Sequence, residues 1–317
     1  MKSFFKYSLL IIVLLFTSCG RVTEQEARKA LSEHLKTRYN EEFNISLIGR
    51  RSDDKDTWYQ AIIYPKKYEG TIREYDEYYH RNGTVDIKKG IFGESIDYVG
   101  DTYRIVLMNE SANKFYLPKL KELFGENVLP ILDINIAELS IYPEFLTEMK
   151  ERMKAGGHPQ IKGGIYIFGR VESDKDREWY RKQIYEFVQF MKKTGTFEYV
   201  DLEFIISDDR IFSDEFYTNE KLQSEMKKYG NYIDSKGRKN ILNKVNKNYE
   251  ITNKNRVLER INNLNKANID REFYGIYWLV TKIYSPKYIE NKGWEDEKVK
   301  QYDKVFDIEF SVEGYNE

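Results

Sequence analysis

The sequence predicts an α+β fold, with at least two units in which amphipathic helices pack on mainly antiparallel or split βαβ sheets. Three patterns point there. A capped helix near residue 24 is followed by several extended runs. From 111 to 207 helical and strand periods alternate. Within that stretch, Val200, Leu202, Phe204 and Ile206 alternate with Tyr199, Asp201 and Glu203, so residues 198–206 are apolar on one face only. A doubly wound α/β sheet over 102–207 is the alternative. It needs strands apolar on both faces, and the one-faced strand favours helices on a single side.

Thr23 and Glu26 form a Thr-x-x-Glu capping box ahead of Ala27, Ala30, Leu31, Leu35 and Tyr39, which recur at helical spacing and predict a helix over 24–40. Extended segments are expected at 45–51, 57–65 and 102–108. In the second, Trp58, Ile62 and Tyr64 oppose Tyr59, Ala61 and Ile63. With both faces apolar, that strand should be central or covered by the helix on one side. Asn82-Gly83 is a hairpin signal between extended runs at 75–80 and 84–88. A first domain over 19–110 follows.

In the second domain, 111–317, Pro118 fits the first turn of a short helix carrying Leu120, Leu123 and Phe124, with Gly125 as its stop. Pro143 and Gly156 bracket another helix with Phe145, Leu146, Met149 and Met153 inward, and a third presents Tyr180, Ile184, Phe187, Val188 and Met191. Strands are expected at 131–139, 163–171, 198–206 and 273–283, and a last one where Phe306, Ile308, Phe310 and Val312 alternate with acidic or small residues. The stretches 114–139 and 181–207 share a helix-then-strand layout, a sign of internal duplication. Residues 221–260 hold eleven Lys or Arg against Glu225, Asp234, Glu250 and Glu259, a local net of +7, with seven Asn and no Pro. They read as a basic helical arm spanning 214–270. Its solvated helical pair is the plainer reading, and attraction to anionic headgroups or an acidic polymer the functional one.

The first twenty residues read as an address. Lys2 and Lys6 precede the apolar run Leu9 to Phe16 and then Thr17-Ser18-Cys19-Gly20. The run falls short of the ~20 residues that span a bilayer and ends in small residues, as a signal peptide over 1–18 should. The tetrad Phe16-Thr17-Ser18-Cys19 resembles the lipobox of bacterial lipoproteins, in which an aliphatic residue and two small residues precede a cysteine. That resemblance covers the leader alone. It implies cleavage between Ser18 and Cys19, diacylglyceryl transfer to the Cys19 sulfur and acylation, with palmitate for example, of the freed amine. Gly20, rather than Asp, after the cysteine permits carriage to the outer membrane where the host has one.

Cys19 is the one cysteine in 317 residues, so the body has no thiol for a disulfide, a metal or nucleophilic catalysis. Hydrophobic residues at 41%, charged residues at 32% and a mean hydropathy of −0.68 exclude a channel or transporter, since no second stretch is long enough to cross a membrane. Cleavage would remove Lys2 and Lys6 from 51 basic residues, leaving 49 against 52 acidic, a net of −3 that selects no partner.

Few residues carry chemistry. His34 falls beside Leu31 and Leu35, His80 follows Asp76 and Glu77 without a second ligand cluster, and His158 sits in Gly156-Gly157-His158-Pro159, so no metal and no cofactor are expected. Gly156-Gly157 and Gly163-Gly164 lack the Lys-Ser/Thr of a phosphate loop. Gly90-x-x-Gly93-x-Ser95 is not a nucleophile elbow. Glu94, Asp97 and Asp101 read as a solvated loop face. The densest feature is aromatic: Tyr64, Tyr68, Tyr75, Tyr78 and Tyr79 form a candidate ligand platform. The expected function is a non-catalytic binding or scaffolding module anchored by lipid in the cell envelope, with an envelope protein or polymer as partner and no nucleic acid. The alternative is an envelope glycan or peptide hydrolase using carboxylates in the Tyr-rich groove.

Overall fold

The computed structural model describes residues 20–91, 93–136, 140, 142–213, 254–264, 269, 277–294 and 299–311. The fold is α+β, with six helices and two four-stranded sheets among the described residues. The chain divides into two compact units, 1–106 and 107–317. Of the basic arm, only 254–264 and Ile269 fall within the described residues.

In the first unit, α1 (Glu24–Tyr39) lies on the antiparallel sheet β1 (Phe43–Ser52), β2 (Thr57–Pro65), β3 (Arg81–Gly90) and β4 (Gly93–Asp101), in that order. The capping box forms in full: the Thr23 hydroxyl accepts from the Glu26 amide, and Glu26 accepts from the Thr23 amide at 2.8 Å. Ala27, Leu31, Leu35 and Tyr39 are buried against the sheet face that carries Tyr59, Ala61, Ile63, Val85 and Ile87. β2 is central, which explains its apolar residues on both faces.

Asn82-Gly83 makes no turn here. Both residues lie in β3, where Gly83 lets the helix approach: a Cβ there would sit 2.7 Å from a Leu31 methyl. The hairpin turn falls instead between Gly90 and Gly93. The segment 72–79 is a 3₁₀ turn and further turns rather than a strand.

The chain immediately after Cys19 is tied to this sheet. The Gly20 carbonyl accepts from the Glu94 amide at 3.1 Å, and the Val22 amide donates to the Glu94 carboxylate at 3.0 Å. Arg50 completes the clamp by bonding Glu94 at 2.6 Å and the Val22 carbonyl at 3.4 Å, while the Tyr59 hydroxyl donates to that carbonyl at 2.8 Å. Glu94 is thus a strand residue in an ion pair, and Asp101 is fully buried; neither belongs to a solvated loop, while Asp97 on the same strand is exposed. The Arg50 hydrogen bond holds the Glu94 carboxyl below its usual range.

In the second unit, β5 (Val128–Asn135), β6 (Gln160–Gly169), β7 (Val200–Asp208) and β8 (Tyr277–Tyr284) pair in order, antiparallel except for the parallel pair β6–β7. The crossover is a plain βαβ unit rather than the split form, since α4 (Asp174–Thr194) joins two parallel strands that pair directly with no strand between them. Helix α2 (Arg104–Phe124) begins before Pro118 rather than at it, and takes in 104–108 of the strand expected at 102–108. Packing overrides the proline's missing donor: Phe115 and Tyr116 meet Phe145 of α3 (Phe145–Lys154), and Tyr116 meets Phe187 of α4 at 5.4 Å. Phe187 in turn meets Phe204 of β7 at 5.7 Å.

β7 is one-faced only in its first half. Ile205 and Ser207 are buried on the second face, where Phe212 packs edge-on against Phe168 at 4.8 Å. Two further helices are α5 (Lys254–Asn262), against β5, and α6 (Pro286–Lys292). The expected strand at 306–312 is instead a 3₁₀ turn at Val305–Asp307 with an isolated bridge from Ser311 to Val280. Side chains of α4 hold this segment and the one before it: Arg181 bonds the Ile308 carbonyl, and Gln189 the Tyr302 carbonyl at 2.8 Å. Val312 lies outside the described residues.

Gly163 sits in the middle of the second sheet with φ +128°, and a Cβ there would overlap the Ile131 carbonyl oxygen. Gly163→Ala should therefore cost about 2 kcal/mol or more, from backbone strain and displaced β5 pairing. Gly49→Ala, with open space around it, should shift stability by less than ~0.5 kcal/mol. Urea unfolding midpoints of the two variants measure the contrast.

Candidate functional site

The tyrosine-rich segment is the 66–80 connection from β2 to β3, built from two 3₁₀ turns, Lys66–Tyr68 and Ile72–Tyr75. Local polar residues fold it. The Thr71 hydroxyl donates to the Tyr68 carbonyl at 2.6 Å and accepts from the Arg73 amide at 3.2 Å; the Glu74 carboxylate accepts from the Gly70 amide at 2.7 Å. Asp76 accepts from the Tyr78 amide at 3.0 Å. These are the short-range side-chain turns that Thr and Asp favour.

Three of the five predicted tyrosines come together. Tyr68 meets Tyr79 edge-on at 4.8 Å, and Tyr79 meets Tyr78 edge-on at 5.1 Å. Cations cover the rings: Arg73 lies 5.2 Å from the Tyr68 centroid and 4.9 Å from that of Tyr79, Lys67 lies 5.2 Å from Tyr68, and Arg81 lies 5.9 Å from Tyr78. Tyr64, on β2, stacks instead on His80 at 4.9 Å. The Tyr75 side chain lies outside the described residues. Tyr68 is buried while Tyr64, Tyr78 and Tyr79 are half-buried, so the surface offered is a band of ring edges and guanidinium groups rather than one open tyrosine face.

Each histidine has a nearby polar partner. His80 Nε2 lies 2.7 Å from the Glu74 carbonyl, His34 Nε2 lies 3.0 Å from Asp101, and His158 Nδ1 lies 2.9 Å from the Asn291 amide. Among the described residues, no group of three or more His, Cys, Asp or Glu is arranged to hold a metal ion.

The second unit holds a charged cluster that the sequence reading missed. At the carboxyl ends of the parallel strands, Arg210 bonds the Asp208 carboxylate through Nε at 2.8 Å and through Nη2, both side chains almost wholly buried. Arg170 reaches Asp209 at 2.9 Å, and Arg210 reaches Glu172 at 3.5 Å. Burial pushes the Asp209 carboxyl up against the opposing pull of Arg170. Asp208-Asp209-Arg210 directly after an apolar strand was the available signal. No family model, curated protein or solved structure matches this chain.

Two outcomes follow from these charges. Removing one partner of the buried pair, as in Arg210→Met, should cost about 3–5 kcal/mol, and the double variant Asp208→Asn/Arg210→Met distinctly less, read as denaturant midpoints. Burial also raises the Asp76 carboxyl pKa, so this group contributes stability below its unfolded value that is lost as pH rises through the folded one. Asp76→Asn, which keeps an oxygen for the Tyr78 amide, should raise the unfolding midpoint at neutral pH and bring no gain near pH ~3, below the unfolded carboxylate pKa.

Proposed function

We propose that this chain is a lipid-anchored protein of the bacterial cell envelope, a non-catalytic binding or scaffolding module held at a membrane by the lipid on Cys19. The observation that carries the reading is the tetrad Phe16-Thr17-Ser18-Cys19, which places the chain's one thiol behind a lipobox-like leader. These residues lie outside the described ones. The fold supports it from the other side: Gly20, the residue after that cysteine, is bonded through its carbonyl to the Glu94 amide of β4.

The aromatic loop stands at the far end of the same sheet. Gly20 bonds β4 beside the Gly90–Gly93 turn, whereas 66–80 joins β2 to β3 at the opposite end. Eight steps along β2 at ~3.3 Å each put the two ends about 25 Å apart. Such a module presents its tyrosine and arginine surface away from the anchor, toward an envelope protein or polymer. The loop's carboxylates favour binding over hydrolysis, because Glu74 and Asp76 accept backbone amides that hold the turns. No described helix is long and apolar enough to cross a membrane. In a host with two membranes, Gly20 rather than Asp after the cysteine permits carriage to the outer one.

Cells grown with labelled palmitate should yield a labelled wild-type band in the membrane fraction and an unlabelled one for Cys19→Ala. A wild-type band without label, or label unchanged by the substitution, sinks the reading.

A further inference from the structure

The clamp on residues 20–22 fixes which part of the first unit meets the bilayer. Gly20 is bonded to the Glu94 amide, one residue past the Gly90–Gly93 turn, so Cys19 is a single ~3.8 Å Cα step from a pinned residue. At the tip of that turn Ile91 is 93% exposed. Lys88, Lys89 and Arg21 flank it and are exposed as well. Glu94 beside the turn is only 12% exposed and is matched by Arg50 and Arg21, while the exposed Asp53, Asp54 and Asp56 of the β1–β2 turn lie at the same end of the sheet. An unburied aliphatic side chain at a hairpin tip with two lysines just behind it, beside the lipid attachment point, is the pattern of a surface that enters a headgroup layer.

We propose that the β3–β4 hairpin tip is a second membrane contact, with Ile91 entering the interface and Lys88, Lys89 and Arg21 facing anionic headgroups. This rests on the lipid-anchor reading. The lipid alone would leave the body free to tumble about its tether; the tip and the clamp together set its orientation, with β2 and β3 running outward from the membrane. The 66–80 loop is thereby held away from the headgroups rather than swept across them.

The test uses the full chain, purified from membranes in mature form. Acylation would occupy the Cys19 sulfur, so Ile91→Cys or Glu69→Cys introduces the one free thiol for a nitroxide label. Glu69 is exposed in the loop at the opposite end of the sheet. In vesicles of phosphatidylethanolamine and phosphatidylglycerol, the label at 91 should become several-fold less accessible to a polar nickel chelate than the label at 69, and more accessible to oxygen. Replacing Lys88 and Lys89 by Glu should restore chelate access at 91. Intact mass reports the acyl groups on the same samples. Lipidated protein whose label at 91 stays as chelate-accessible as that at 69 overturns the hairpin contact alone, whereas mature protein without acyl mass overturns the anchor and the contact with it.

Discussion

Asp101 is the polar bolt of the first unit. It ends β4 with its side chain fully buried and accepts from the Tyr39 hydroxyl at 2.6 Å, from the Tyr103 amide at 2.9 Å, and faces His34 Nε2 at 3.0 Å, with Arg38 Nε 3.8 Å away. Tyr39, His34 and Arg38 lie in the last two turns of α1. One carboxylate therefore joins that helix, the last strand and the turn that opens α2. Burial, reinforced by this carboxylate, raises the Tyr39 phenol well above its ordinary range, so the phenol remains a donor. Arg28 ties the first half of the same helix to the Ile45 carbonyl of β1 at 2.6 Å, and Asp101 ties the second half to β4, so each end of α1 has a polar bond to the sheet.

The second unit repeats the device. Asp208 ends β7 as Asp101 ends β4, and each accepts from the amide two residues on: Arg210 at 2.9 Å, Tyr103 at 2.9 Å. Asp76 does the same for Tyr78 in the tyrosine loop. In each case the side chain substitutes for a backbone acceptor where the strand or turn has ended, which Asp does at low cost because its carboxylate reaches its own neighbours. Only Asp208 adds a buried guanidinium, and that pair works by penalising any structure that separates it rather than by large net stabilisation.

Periodicity made α1, α3 and α4 legible, and the capping box located the start of α1 within a residue, because caps and apolar stripes are local signals. The errors share one cause, tertiary contact. Asn82-Gly83 has the composition of a turn but serves as the space into which Leu31 fits. Pro118 has the composition of a helix start, yet Phe115 and Tyr116, packed on α3 and α4, draw the helix back to Arg104. The alternation at 306–310 suggested a strand, but side chains take its carbonyls instead of a ladder: Arg181 bonds that of Ile308, and the Thr281 hydroxyl that of Glu309. Of the tyrosine cluster, composition revealed its members and could not reveal that Arg73 and Lys67 would occupy the ring faces.

The single cysteine and the two buried aspartates belong to one argument. Exported domains commonly fix their chain ends with disulfides, each contributing about 2–4 kcal/mol. With one cysteine, this chain can form no internal disulfide and does so by other means. Hydrogen bonds to a charged group contribute about 1.5–3 kcal/mol each, so a carboxylate with several donors stands in the same range as a disulfide. Such a carboxylate needs no oxidant and no second cysteine. Asp101 does this at the end of α1, where it holds Tyr39 and the Tyr103 amide, and Glu94 does it at residues 20–22, where it holds the Val22 amide against β4.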